Sequence, residues 1–199
     1  SIKAVEDTMV RLFFIKDLRA LVTLVGTHCT ICALTKHGPR LTPTGTIRRG
    51  SYFGEVYALD HLTLPGALAG NLVYKHILLV VDTWSRYCIC HPTRTTNAEE
   101  VIRTLRAMFL NVPIPRRITT DRGSAFTSHQ FREFLMSIRV DHFMTLSYVP
   151  RGHYVEKFCG LVVQLIRSTC TMLKTRDWLS HLPLINTLIK LVPQTYKIC

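Results

Sequence analysis

The chain has 199 residues, of which 47% are apolar, enough to form a buried core and too many for a chain that is disordered throughout. Lysine and arginine outnumber aspartate and glutamate by 25 to 13, which gives a net charge of +12. This excess favours a polyanion such as nucleic acid as the partner, with a merely solubilising charge as the alternative. The longest uninterrupted apolar run, Ile77–Val81, is far shorter than the ~20 residues of a membrane span. We therefore expect no transmembrane segment, signal peptide or membrane partner.

The chain contains seven cysteines, and an odd number argues against a framework of disulfide bonds. Only Cys29 and Cys32 have a spacing that indicates joint use. The other cysteines lie mostly in apolar surroundings, where a reduced thiol behaves as a small hydrophobic group. This usage predicts an intracellular, reducing compartment.

The first 50 residues predict a small helical region followed by a linker. Residues 3–25 have the spacing of two short amphipathic helices, which end at Gly26. The Cys29-Thr-Ile-Cys32 motif follows, and residues 36–50 are rich in Gly, Pro, Thr and Arg. We predict a partial helical domain at residues 1–36, a linker at 37–51, a catalytic core at 52–175 and an extension of the core at 176–199.

The predicted core alternates strands and helices in the order βββαβαβα. The turn-prone pairs Pro65-Gly66 and Gly70-Asn71 separate the first two strands, and Asn97 and Ser128 are predicted helix N-caps. Three antiparallel strands followed by alternating helices and strands predict an α/β fold with a mixed five-stranded sheet flanked by helices. The predicted strands are residues 55–64, 77–83, 87–92, 117–120 and 141–146, and the predicted helices are residues 98–110, 129–138 and 152–174.

Three acidic residues, Asp60, Asp121 and Glu156, are candidate catalytic and metal-binding residues. Asp60 lies near the middle of the first strand, and a carboxylate that faces a core needs a partner or a metal ion. Asp121 ends the fourth strand, at the sheet edge where α/β proteins gather their ligands. Glu156 falls in the first turns of the last helix. Each residue also has an ordinary interpretation. Asp60 could face solvent at a sheet edge, Asp121 could form an Asx-turn, and Glu156 could interact with the helix dipole.

Together, the three carboxylates would hold two Mg²⁺ or Mn²⁺ ions about 3.5–4 Å apart, an arrangement suited to in-line displacement at a phosphodiester. The basic surface would then bind the DNA backbone, with an affinity that falls as salt rises.

The same residues, in this order, resemble the retroviral and Gypsy-type retrotransposon integrases. The resemblance extends over most of the chain and rests on four segments: Leu59-Asp60-His61, Val80–Arg86, Thr120–Gly123 with Phe126, and Val155-Glu156-Lys157. It implies an RNase H-like core whose D,D,E triad is Asp60, Asp121 and Glu156. Asp82, within the second segment, is interpreted as a turn residue.

The resemblance also implies an activity: a polynucleotidyl transferase of a retroelement that processes DNA 3′ ends and joins them to target DNA with two Mg²⁺ or Mn²⁺ ions. DNA and further copies of the chain, as dimers or tetramers, are the implied partners. Arg122, Arg151 and Lys157 are candidate phosphate contacts. The implied location is the nucleus, after passage through the cytoplasm.

Cys29 and Cys32 resemble the second half of the family's His/His/Cys/Cys zinc site. The two histidines, which we expect to precede Ser1, are absent, so the predicted Zn²⁺ site is incomplete. His28 or His37 are the candidate substitutes.

Departures from the family pattern keep two alternatives open. Arg151-Gly152 stands near the place of the family's Asn-Gly, and Cys159 and Gly160 replace the Asn and Arg that follow the glutamate. The chain could therefore be an inactive or domesticated copy that binds nucleic acid. It could also be a ribonuclease H-type nuclease, with a fourth carboxylate from Glu99 or Glu100.

Overall fold

The computed structural model describes residues 2–29, 49–145 and 154–191. The chain divides into two compact units, one spanning Pro43–Leu161 and the other formed by Ser1–Thr42 with Val162–Cys199. The domain boundaries drawn from the sequence at residues 36, 51 and 175 remain a prediction. Within the described ranges, no helix is both long enough and apolar enough to cross a membrane.

Two short helices begin the chain, as its amphipathic spacing predicts: α1 is Ile2–Leu12 and α2 is Leu18–His28. Asp17 precedes α2 in a left-handed conformation, with φ 56°. Arg19 approaches Glu6 at 3.9 Å across the two helices. Because the arginine side chain is 86% exposed, this ion pair adds little stability.

The predicted mixed five-stranded sheet is confirmed. The strands are β1 Val56–Ala69, β2 Leu72–Asp82, β3 Cys88–Thr93, β4 Arg117–Thr120 and β5 Asp141–Met144. Their spatial order is β3-β2-β1-β4-β5. The pairs β1–β2 and β2–β3 are antiparallel, whereas β1–β4 and β4–β5 are parallel.

The prediction of a turn at Pro65-Gly66 is wrong, because β1 continues through both residues. The pairing with β2 shifts between Thr63 and Ala67, and such a bulge accommodates proline, which has no N–H to give to the ladder. The chain instead reverses at Gly70-Asn71, where Gly70 has φ 57°, as a two-residue hairpin loop requires. β1 and β2 are therefore each five residues longer at this end than predicted.

The helices of the core begin where the sequence predicts capping residues. Asn97 Oδ1 accepts a hydrogen bond from Glu100 N at 2.9 Å, and Ser128 Oγ accepts one from Phe131 N at 3.1 Å. These bonds satisfy backbone donors that have no partner inside the helix. The helices are α3 Ala98–Met108, α4 Ser124–Thr127, α5 His129–Ser137, α6 Tyr154–Met172 and α7 Leu182–Leu191. Neither the one-turn helix α4 nor helix α7 was predicted from the sequence.

Alternation along β1 separates the main core from the face that carries Asp60. Tyr57 and Leu59 belong to the buried cluster that includes Val101 of α3 and Phe131 of α5. Since successive side chains of a strand point to opposite faces, Asp60 projects from the other face. There, Val155 and Phe158 in the first turns of α6 are buried.

Asp82 is the last residue of β2 and has a structural role, as its turn-like sequence predicts. Its carboxylate is only 1% exposed. Oδ1 accepts a hydrogen bond from Gly54 N at 3.0 Å, while Oδ2 accepts bonds from Ser85 N at 2.6 Å and Ser85 Oγ at 2.5 Å. Three donors are thus satisfied by one buried side chain.

Replacing Asp82 with alanine should lower the free energy of unfolding by about 2 to 3 kcal/mol, because it leaves the buried N–H of Gly54 without an acceptor and removes the bonds from Ser85. Urea unfolding measures the change. Asp141→Ala is the matched control: this aspartate side chain is 62% exposed and meets Arg117 at 3.6 Å, so its loss should cost less than about 1 kcal/mol. Equal losses in the two variants would contradict the structural role of Asp82.

Three histidines on the core face of the sheet predict a loss of stability in acid. Burial, and next the neighbouring His76, lower the pKa of His61 to about 4. Burial likewise lowers the pKa values of His91 and His142. The folded state therefore disfavours protonation of these rings, and its stability, complete above the ordinary pKa of about 6.5, falls as the pH approaches about 4.

Between about pH 7.5 and about pH 5, we expect His61 alone to remove about 2 kcal/mol from the free energy of unfolding. Urea unfolding at the two pH values measures the total loss, and His91→Gln should make it smaller. Identical unfolding midpoints at both pH values would refute this origin of acid sensitivity.

Candidate active site

The parallel pairing of β1 with β4 brings two of the predicted acidic residues to neighbouring positions. Val56, Tyr57 and Ala58 pair with Arg117, Ile118 and Thr119, in that order. If this register is extended by two residues, Asp60 stands opposite Asp121. Because paired strands lie about 4.8 Å apart, we expect the two side chains to project side by side at the carboxyl edge of β4.

Both carboxylate oxygens of Asp60 accept hydrogen bonds. Oδ1 accepts one from His61 N at 2.7 Å, and Oδ2 accepts one from the Cys159 thiol at 3.4 Å. The first donor belongs to β1 and the second to α6. The half-buried carboxylate is therefore held between the sheet and the helix that packs on it.

Asp121 forms a tight turn immediately after β4. Its Oδ1 accepts a hydrogen bond from Gly123 N at 2.9 Å, which is the Asx-turn that the sequence offered as an alternative. A Cβ at Gly123 would lie 3.0 Å from the same oxygen, so glycine permits the close approach. Among the described residues, none donates a hydrogen bond to Oδ2. That oxygen is thus available to a ligand while the turn holds its partner in place.

Glu156 is the third residue of α6. It precedes Cys159 by three residues, and positions three apart share one face of a helix. The face of α6 that contacts Asp60 therefore includes the position of Glu156. The side chains of Glu156 and Lys157, and the whole of Arg151, lie outside the described part of the chain.

The described side chains provide a pair of carboxylates rather than a complete metal site. No three histidine, cysteine, aspartate or glutamate side chains within the described ranges form a group that could hold a metal ion. Asp60 and Asp121 nevertheless supply the hard oxygen ligands that Mg²⁺ and Mn²⁺ prefer, and Asp121 has an oxygen to spare. The donor set therefore fits these ions.

His61 is a neighbour of the site that the sequence pattern did not single out. Its ring stacks on Phe126, with centroids 5.1 Å apart and planes 19° apart. Since burial and His76 lower its pKa to about 4, the ring is neutral at pH 7. The stack ties β1 to the helical turn that follows Asp121. The alternation of side chains along β1 directs residue 61 toward the core, and this pattern could have identified the residue from the sequence.

The glutamates considered for a ribonuclease H-type site are engaged elsewhere or exposed. Glu100 is buried and accepts hydrogen bonds from Arg94 N, Thr95 and Arg103 at 2.7–3.0 Å. Burial opposes ionisation, yet these bonds hold the pKa of Glu100 below its ordinary value. The Glu100 carboxylate thus stabilises the loop before α3. Glu99 is exposed to solvent. The donors to Glu100 occupy its carboxylate, which disfavours its use as a fourth carboxylate beside Asp60 and Asp121.

The predicted zinc ligands fall at the limit of the described residues. Cys29 follows α2 as a half-buried cysteine that forms no disulfide, whereas Cys32 and His37 lie outside the described ranges. The candidate substitute His28 directs Nδ1 toward Leu24 O at 2.9 Å and Thr27 Oγ1 at 3.2 Å. Zinc binding by Cys29 and Cys32 therefore remains a prediction.

Comparison with protein families and known sequences relates this site to retroviral proteins. The family described as the integrase core domain matches residues 54–150. The Pol polyprotein of Radiation murine leukemia virus is 26% identical over 184 residues, covering 92% of this chain and 31% of the polyprotein. The Gag-Pro-Pol polyprotein of Mason-Pfizer monkey virus is 26% identical over 151 residues, covering 76% of this chain and 8% of the polyprotein. The chain thus spans less than a third of either relative.

Solved structures confirm the RNase H-like fold of the core. A chain of the simian T-cell lymphotropic virus intasome structure, solved in complex with PP2A regulatory subunit B56 gamma, matches with a TM-score of 0.62 and 20% identity, covering 89% of this chain and 61% of that chain. The HTLV-2 integrase catalytic core, solved with magnesium in a trimeric form, matches with a TM-score of 0.55 and 20% identity, covering 69% of this chain and 86% of that chain. Residues 54–150 therefore match the retroviral-type integrase core domain family, and the chain is homologous to the integrase regions of retroviral Pol polyproteins.

Proposed function

We propose that this chain is an integrase-type polynucleotidyl transferase of a retroelement, which processes DNA 3′ ends and joins them to target DNA. The observation that carries the proposal is the parallel pairing of Val56–Ala58 with Arg117–Thr119. Extended by two residues, this register brings Asp60 opposite Asp121 at the carboxyl edge of the sheet. Glu156, on the Asp60-facing side of α6, is the proposed third carboxylate. When bound, two Mg²⁺ or Mn²⁺ ions would activate the attacking oxygen and stabilise the leaving oxygen.

The contribution of the chain itself is to hold the carboxylates in place before DNA arrives. Asp60 is fixed by donors on β1 and α6, and Asp121 is fixed by its turn to Gly123. Carboxylates held in this way need little reorganisation when the reaction begins. The hydrogen bonds thus support a pair of carboxylates whose orientation is set by the fold.

The net charge of +12 supports DNA as the partner. Arg122 is exposed directly after Asp121, where it can contact a phosphate close to the reacting bond. We assign the same role to Arg151 and Lys157. Such contacts position DNA without reading its sequence. Assembly into dimers or tetramers and action in the nucleus belong to the same proposal.

A second candidate function is nucleic-acid binding by an inactive or domesticated copy. The observation that favours it is the replacement of two residues of the family pattern, by Cys159 and Gly160, on the helix that carries Glu156. A ribonuclease H-type activity is less favoured, because the carboxylate of Glu100 already accepts four hydrogen bonds.

Strand resealing on a branched DNA that mimics the joined intermediate tests the transferase directly. With Mn²⁺ present, the chain should release and reseal the strands. Asp121→Asn should lower the rate by about a hundredfold or more, because ion binding supplies several kcal/mol of transition-state stabilisation. Asp141→Asn, on an exposed aspartate of the neighbouring strand β5, is the matched control and should retain activity.

Other outcomes assign the other functions. If the folded chain binds the branched DNA but yields no product with any divalent metal, the inactive-copy alternative replaces the proposal. If the chain instead cleaves the RNA strand of an RNA–DNA hybrid in a reaction that depends on Asp121, the ribonuclease alternative holds.

Arg122→Ala should weaken binding to DNA of any sequence and lower the salt slope of the binding constant by about one, as the loss of a single phosphate contact does. Titrations at several salt concentrations measure this slope. Arg116→Ala removes an exposed arginine at the opposite end of β4 and should leave the slope unchanged. An effect that is equal for the two variants, or confined to one DNA sequence, would exclude the assigned role.

A further inference from the structure

Cys159 makes a direct contact from α6 to the candidate active site. Its Sγ donates a hydrogen bond to Asp60 Oδ2 at 3.4 Å, across 99 residues of sequence. The thiol is half-buried and forms no disulfide. The thiol therefore gives α6 a hydrogen-bond donor that reaches the Asp60 carboxylate.

The two hydrogen bonds to Asp60 together fix the orientation of its carboxylate. The N–H of His61 holds Oδ1 at 2.7 Å, and the thiol holds Oδ2 from the opposite element. A carboxylate held at one oxygen alone can rotate about its terminal torsion, which has a broad energy minimum. Held at both oxygens, the carboxylate keeps one plane.

The surroundings of Cys159 make this thiol a hydrogen-bond donor. Two further cysteines lie beneath α6 on β3: Cys88 is 1% exposed and Cys90 is 2% exposed. A hydrogen bond with Cys90, followed by burial, raises the pKa of Cys88 well above its ordinary value. The sheet beneath Cys159 therefore presents neutral, weakly polar groups, where a hydrogen bond to a carboxylate is strengthened by the low local polarity.

We propose that Cys159 is a positioning residue for Asp60, and that its thiol sets the affinity of the active site for divalent metal ions. The inference rests on the proposed function, because it takes Asp60 as a metal ligand. It extends that function by assigning a role to a residue that departs from the family pattern. Groups that orient a metal-binding carboxylate typically contribute about tenfold or more to metal affinity.

The test is Mn²⁺ binding to the whole chain without DNA, measured by calorimetry, for the wild type and two variants. Cys159→Ala removes the donor and should weaken Mn²⁺ binding by about tenfold. Cys159→Ser has nearly the same volume as the alanine variant but keeps an O–H donor, so it should bind Mn²⁺ within about twofold of the wild type. Cys170→Ala, three turns later on the same helix, is the control and should change nothing.

The comparison of the two variants separates positioning from packing. If alanine and serine weaken Mn²⁺ binding equally, the sulfur contributes by its volume and the inference fails; it also fails if neither variant changes the affinity. Wild-type protein that binds Mn²⁺ but reseals no DNA would refute the proposed function and leave the role of Cys159 measurable. A wild type that binds no Mn²⁺ would overturn both.

Discussion

The pairing of β1 with β4 is the contact on which the site depends. β1 is the central strand, antiparallel to β2 on one side and parallel to β4 on the other. In a parallel pair, both strands present their carboxyl ends at the same edge, so residues far apart in sequence meet there. A slip of one residue would turn Asp60 into the core and away from Asp121. Such a slip would expose the core residues Tyr57 and Leu59. Hydrophobic packing of these side chains therefore maintains the strand register and, with it, the alignment of the two carboxylates.

Four acidic side chains differ in how their oxygens are engaged. Asp82 and Glu100 each accept three or more hydrogen bonds, and both are buried. Asp60 and Asp121 are half-buried; Asp60 accepts bonds from His61 and Cys159, and Oδ1 of Asp121 accepts one from Gly123. The two buried acids contribute to stability, because they satisfy backbone donors that would otherwise lack an acceptor. Among the described residues, none donates a hydrogen bond to Oδ2 of Asp121, and this accessible oxygen marks the candidate metal site among several similar sequence motifs.

Much of the fold follows from local sequence. Asn97 and Ser128 predict helix starts because a side-chain acceptor next to free N–H groups acts over a few residues. β4 was predicted with its observed limits. The turn was wrongly predicted at Pro65-Gly66 because these residues form a bulge that depends on pairing with β2. The local sequence carries no information about that pairing. The stack of His61 on Phe126 and the bond from Cys159 to Asp60 join residues distant in sequence. They arise from strand register and helix placement, which only the folded chain determines.

The hairpin of β1 and β2 extends past the rest of the sheet. β3 pairs with β2 only from His76 onward, and β4 pairs with β1 only through Ala58, so the ribbon near Gly70 is two strands wide in the described sheet. Its tip exposes apolar side chains, with Leu68 69% exposed. A ribbon of this kind can lengthen or shorten in pairs of residues without altering the register that aligns Asp60 with Asp121. The outer end of the hairpin can therefore change in length while the candidate site at its base stays the same.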